Sequence, residues 1–211
     1  MAGNPPPPAL FDWEQAHTYR SLATPWPTGY PTDLRTYFSP EDGPGIHKLL
    51  VDLVTSARHS IVLNLFGYDD DDVDAAIRAK IADPGVYVQM SLDRSQSGGV
   101  HEKLILAKWD NMAIGTSIAI GTSVRHAISH LKVLIVDGIF VVSGSTNWSL
   151  SGEEQQDNEL SLRQNAVLAA QYRSILDISH TEMLRQMAAR ATAADKPPAI
   201  SIPIRPQGGT P

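Results

Sequence analysis

Two side chains with complementary phosphate chemistry stand two residues apart in the stretch His130–Asn147, which reads HLKVLIVDGIFVVSGSTN. His130 carries an imidazole, which can act as a nucleophile or carry a proton near neutral pH. Lys132 carries an ammonium, which can pair with a phosphoryl oxygen. Asp137, Gly144, Ser145 and Asn147 follow, completing the pattern H-x-K-x4-D-x6-G-S-x-N. Ser145 and Asn147 add hydroxyl and amide donors of the kind that hold an anionic transition state. Taken singly, each residue has an ordinary structural use: a packed or surface histidine, a solvated lysine, a turn aspartate. Taken together at this spacing, they read as a functional site rather than as structure alone.

These groups converge only if the backbone alternates beneath them. Leu131, Val133, Leu134, Ile135 and Val136 form an apolar run dense in β-branched residues, as a buried strand requires. Side chains two apart on a strand share a face, so His130 and Lys132 point the same way. Gly138 permits a turn. Ile139–Ser143 then runs back as a second strand and returns Gly144–Asn147 to the same end.

The pattern resembles the HKD motif of the phospholipase D superfamily, whose members break phosphodiester bonds. The order of elements resembles the small bacterial phospholipase D-like endonucleases over about residues 34–187, most closely from His130 to Glu159. The resemblance implies that His130 attacks phosphorus to form a phosphohistidine. Lys132 and Asn147 would hold the phosphoryl oxygens, and Ser145 would donate another hydrogen bond. Asp137 and Gly144 would serve structure rather than chemistry. An acid on the following strand would orient His130; Glu159 is the first choice, with Glu153, Glu154 and Asp157 as competitors. Arg125 and His126 stand either as contacts to the substrate backbone or as ordinary loop residues. Trp148 either stacks on a base or packs as a core or interface aromatic.

The superfamily site uses two such motifs, and this chain holds one. His101-Glu102-Lys103 begins like a second, but no aspartate or G-S-x-N follows at the required spacing. The resemblance therefore implies a homodimer with two His130 residues meeting across a two-fold axis, and an inactive monomer. Fixed positive charge replaces a metal, so no cofactor is expected and activity should survive EDTA. The acidic run Asp69–Asp72 with Asp74 invites a metal reading, but carboxylates at a helix start are favoured by the helix dipole. Helix capping is preferred.

The remaining chain supplies the scaffold. Its 211 residues suffice for one sizeable core. Hydrophobic content of 42% and charged content of 19% are those of an ordinary globular protein. The absence of cysteine excludes disulfides and thiolate metal sites. A net charge of −6 argues against a generic nucleic-acid coat, so a nuclease would need a locally basic cleft. No secretory signal and no membrane span are apparent, so the simplest placement is cytoplasmic.

Three regions are expected: a proline-rich arm over 1–32 with a short helix near Trp13–Leu22, a catalytic domain over 33–190, and a flexible tail over 191–211. Within the domain, strands at Leu34–Phe38, Ser60–Phe66, Val86–Leu92, Leu131–Asp137, Ile139–Ser143 and Glu159–Arg163 alternate with helices. The helices fall at Gly45–Arg58, Asp71–Ala82, Val100–Asn111 and Ala166–Arg190. The repeated Gly115-Thr116-Ser117 and Gly121-Thr122-Ser123 read as turns around a further short strand. This order predicts an α/β fold, a mixed β-sheet flanked by helices on both faces. The expected function is a metal-independent nuclease acting on DNA or RNA. The alternatives are a phospholipase or phosphatidyl transferase, for which the Phe11–Trp26 arm is the one candidate anchor, and a nuclease subunit of a larger assembly activated by a partner through the termini.

Overall fold

The computed structural model describes residues 10–22, 26–96 and 115–194. The expected helix at Val100–Asn111, the rejected His101 motif and the tail beyond Ala194 lie outside them. Seven strands form one mixed sheet: β1 (Leu34–Ser39), β2 (Ser60–Leu65), β3 (Tyr87–Asp93), β4 (Thr116–Gly121), β5 (Lys132–Val136), β6 (Phe140–Gly144) and β7 (Asn158–Gln164). Their spatial order is β1-β7-β6-β5-β2-β3-β4. The β2, β3 and β4 strands run parallel, whereas every pairing from β1 through β7, β6 and β5 to β2 is antiparallel. The parallel half needs crossover connections, whereas β5 and β6 are joined by a tight turn.

Alternation splits the core in two. Leu63, Leu65, Leu134, Val136, Val142, Leu160 and Leu162 face α1 (Gly43–Ser56) and α2 (Asp71–Ile81) on one side. Val62, Val133, Ile135 and Val141 face the opposite side, where Ala169 and Leu176 of the long final helix cover them. The expected helices on both faces are therefore present. Helix α1 buries Ile46, Leu49, Leu50, Leu53 and Val54, the helical spacing that the sequence displays. Helix α2 starts at Asp70, whose carboxylate accepts from the Val73 amide at 2.8 Å, as the capping reading requires. A five-residue helix, α3 (Leu150–Glu154), was not anticipated; Ser149 caps it, and it is too short to show periodicity. The final helix, α4, runs from Ala166 to Ala194, four residues past the expected end.

The N-terminal arm is more than a wrap. A 3-10 helix at Trp13–Tyr19 buries Ala16 and Tyr19, and Phe11 packs edge-on against Phe140 at 5.4 Å. Trp13 and Trp26 close over the Arg35 guanidinium at 4.5 and 4.8 Å. The aromatic residues of the arm are thus engaged with the chain's own core and cation.

Candidate active site

His130 emerges at the entry to β5, at the end of the central strands. The segment before it is fastened by buried Asp93, which accepts from the Ser129 amide at 2.5 Å, and by Asn64, which accepts from the Ser129 hydroxyl at 3.1 Å. The His130 ring is exposed and leans on Phe66, with centroids 4.6 Å apart. Lys132 is buried; its ammonium donates to the His130 carbonyl at 3.0 Å and lies 5.1 Å over the Phe66 ring. Burial lowers the Lys132 pKa from its ordinary value, because the charged form loses hydration. Phe66 thus sits beneath both catalytic candidates. In the sequence it is one more apolar residue closing a strand, with nothing to mark its place.

The return strand brings the second group. Gly144 pairs with Leu160, and a Cβ at Gly144 would lie 2.1 Å from the Glu159 carbonyl oxygen, so only glycine fits there. Ser145 donates to the Asn158 side chain at 3.0 Å and accepts from the Glu159 amide at 3.1 Å. Thr146 is buried and donates to the Glu159 carbonyl. Asn147 lies against Gly67, where a Cβ would come within 3.1 Å of its Cγ. Its Oδ1 is buried without a hydrogen-bond partner among the described residues. An unpartnered buried acceptor is costly.

Asp137 holds backbone amides. In the β5–β6 turn its carboxylate accepts from three successive amides, those of Arg58, His59 and Ser60, at 2.8–3.2 Å. This ties the hairpin to the α1–β2 junction.

One expectation needs correction, and one open reading is decided. Glu159 does not reach His130: Leu160 and Leu162 point to the Lys132 face of the sheet, so Glu159 and Ser161 project from the other face. The Glu159 carboxylate accepts instead from the Ser161 hydroxyl. Among the described residues no hydrogen bond reaches the His130 ring. Trp148 is fully buried, so its ring cannot stack on a base. Its backbone pairs with Tyr68, which anchors the loop that carries Asn147. Arg125 and His126 stand exposed in the loop ahead of His130, with His126 at φ 59°.

A second cluster lies on the same platform. His47 of α1, Asp70 at the α2 cap and Glu153 of α3 bring ligand-type atoms within 4.8 Å of one another. Glu153 lies more than a hundred residues beyond His47 in the sequence, and no motif links the three. Burial and the neighbouring Asp70 carboxylate push Glu153 up to about 8. Burial works against a charged His47, but its hydrogen bond to Asp70 and the charges of Asp70 and Glu153 outweigh that and raise its pKa.

His130 and Lys132 thus stand at the start of β5, and Asn147 just beyond β6, on one mixed sheet with helices on both faces. Residues 50–178, more than half of the chain, match the family described as "Cardiolipin synthase, PLD-like domain". The chain belongs to that family and is a phosphodiesterase of the phospholipase D superfamily. It is 27% identical over 167 residues to a protein of Rickettsia bellii named phospholipase D, covering 79% of this chain and 73% of that one. A Rickettsia prowazekii protein of the same name is 28% identical, covering 67% and 64%. Among solved structures, NucT from Helicobacter pylori superposes with a TM-score of 0.60 at 22% identity, covering 72% of this chain and 95% of that one. Nuc from Salmonella typhimurium, a phospholipase D family member, gives 0.57 at 22% identity, covering 69% and 92%. These structural likenesses establish the fold.

Proposed function

We propose that the chain is a metal-independent nuclease whose site is completed by a second copy of itself. The observation that carries this reading is the half-site among the described residues: one exposed His130, one buried Lys132 and one Asn147, at the end of β5 and β6. His130 attacks phosphorus with a ring nitrogen, and the P–O bond to the leaving strand breaks. The second copy's His130 gives its proton to the leaving oxygen, then takes one from water as that water displaces the first imidazole. Lys132 and the Asn147 amide bind the phosphoryl oxygens as charge accumulates.

Support for a self-association face comes from the surface beside His130. Val124, Ile128 and Leu131 are exposed there, and Ile175 and Ile178 are exposed on α4. Leu131, Val133, Tyr172, Ile175 and Leu176 line one groove. Exposed apolar groups gathered beside a polar site suit an interface.

Against a lipid substrate stands the arm, whose Phe11, Trp13 and Trp26 are turned onto the chain itself. Among the described residues no helix is long and apolar enough to cross a membrane. The phospholipase D names of the Rickettsia relatives favour the lipid reading and keep it in the test. Labelled single- and double-stranded DNA and RNA, and phospholipid vesicles, are incubated with wild type and His130→Ala in excess EDTA. Cleavage of nucleic acid by wild type alone is expected. His130-dependent hydrolysis of the vesicles without nucleic-acid cleavage would replace this reading with the lipid one.

A further inference from the structure

We propose that His47, Asp70 and Glu153 form a binding site for a divalent first-row transition cation such as Zn2+, which pins the platform beneath the Asn147 loop. The inference is independent of the nuclease reading, because none of the three shares a described hydrogen bond with His130, Lys132 or Asn147.

The donor set is one imidazole nitrogen and two carboxylates, the combination that suits such a cation. The spacing is close to what coordination needs. Ligands about 2.0–2.2 Å from a tetrahedral ion lie roughly 3.4 Å from one another. His47 Nδ1 and Glu153 Oε2 are 3.5 Å apart already. His47 Nδ1 and Asp70 Oδ2, now hydrogen-bonded at 2.6 Å, must open by less than about 1 Å. The other His47 nitrogen faces Asp72 Oδ2 at 3.2 Å. A ligating imidazole commonly donates its second N–H to a carboxylate, which fixes its tautomer and orientation. That arrangement is in place here.

Burial points to a ligand independently. The Asp70 and Glu153 side chains are 5% and 2% exposed, while His47 is 33% exposed, so two ligands are dry and the third opens to solvent. Glu153 Oε1 is buried and has no hydrogen-bond partner among the described residues. Two buried carboxylates this close repel each other, and the single imidazole can meet only part of their demand. Asp70 also has a second duty, since its Oδ1 caps α2 and leaves Oδ2 for the cluster. The fold thus keeps an acid pair next to a histidine at the meeting point of three helices.

A bound cation would join α1, α2 and α3. The α3 cap Ser149 follows Asn147 by two residues, and the Asp69 amide bonds to the Trp148 carbonyl at 2.9 Å. The site is therefore a brace for the Asn147 loop, apart from the phosphoryl chemistry.

The test strips the full chain with EDTA, removes the chelator by dialysis, and titrates Zn2+ by calorimetry while following the melting temperature. Wild type, His47→Ala and Glu153→Gln are compared. Glu153→Gln keeps the shape of the side chain and removes only its ability to ligate as a carboxylate, so the variant folds without metal. One equivalent of saturable Zn2+ per chain and a raised melting temperature are expected in wild type, with affinity reduced tenfold or more in both variants. Absence of saturable binding to wild type, or affinity within threefold of wild type in either variant, would overturn the proposal.

Discussion

Replacing Asp137 by alanine should damage stability rather than chemistry, although Asp137 belongs to the catalytic signature. The carboxylate is the acceptor for three backbone amides, of Arg58, His59 and Ser60. A hydrogen bond to a charged acceptor is worth roughly 1.5–3 kcal/mol when shielded. Asp137 is only half-buried, so about 1 kcal/mol for each amide, or about 3 kcal/mol together, is the appropriate scale. Asp137 also sits at φ 52°, a region that aspartate tolerates better than alanine, which adds about 1 kcal/mol. For a domain of this size each kcal/mol moves the melting temperature by about 2–4 °C, so Asp137→Ala should melt about 8–16 °C lower. Asp137→Asn keeps one oxygen acceptor and should fall between. Calorimetric melting is paired with cleavage assays at a temperature where every variant is folded. There, turnover should stay within about threefold of wild type, a rate difference below 1 kcal/mol. A variant that melts within 2 °C of wild type yet loses turnover would refute the reasoning and put Asp137 into the chemistry.

Other outcomes follow from the same geometry. Lys132→Met should abolish cleavage while leaving the melting temperature unchanged or higher, because a buried cation held only by one carbonyl and the Phe66 ring is removed; a large fall in melting temperature would show that the ammonium is a structural tie. Because burial lowers the Lys132 pKa, the ammonium is lost as pH rises through that lowered value, and activity should decline below pH ~10.5. Over the same window its contribution to stability increases, since the unfolded chain then binds more protons. Metal-free protein should lose stability as pH rises from ~4.5 to ~8, because Glu153 holds its proton up to about 8 when folded and releases it sooner when unfolded. The raised His47 pKa acts in the same direction, and Glu153→Gln should flatten the denaturant midpoint measured across this range. Gly144→Ala should break the β6–β7 pairing beside Ser145, seen as faster amide exchange in β7 together with lost cleavage.

The part of the site most legible in the sequence is the part that is local. From His130 to Asn147 the chain makes one hairpin, and strand alternation together with one glycine turn determines which residues meet. The Glu159 assignment failed on the same alternation. A strand's first residue decides its facing, and a shift by one reverses every side chain. The sequence around 156–160 offers several polar residues and no clear start, whereas the structure puts Asn158, not Glu159, on the Lys132 face. Trp148 was open to two readings because polar and small residues flank it, and only the Tyr68 bridge reveals its burial. The cluster of His47, Asp70 and Glu153 was illegible because three separate helices assemble it. Asp70 could be read as a helix cap, and it is one; its second oxygen had no visible partner in the chain.

Trp148 has a consequence for the pace of the reaction. The loop that presents Asn147 is nailed by a fully buried indole, by backbone pairing to Tyr68 and by the Ser149 cap. A loop fastened at that density does not swing shut over its substrate. This side of the site is preassembled, and no closing motion there stands between encounter and bond breaking. Thickening the solvent with sucrose should therefore leave single-turnover cleavage almost unchanged, and any viscosity dependence of steady-state turnover would belong to the arrival or departure of the substrate.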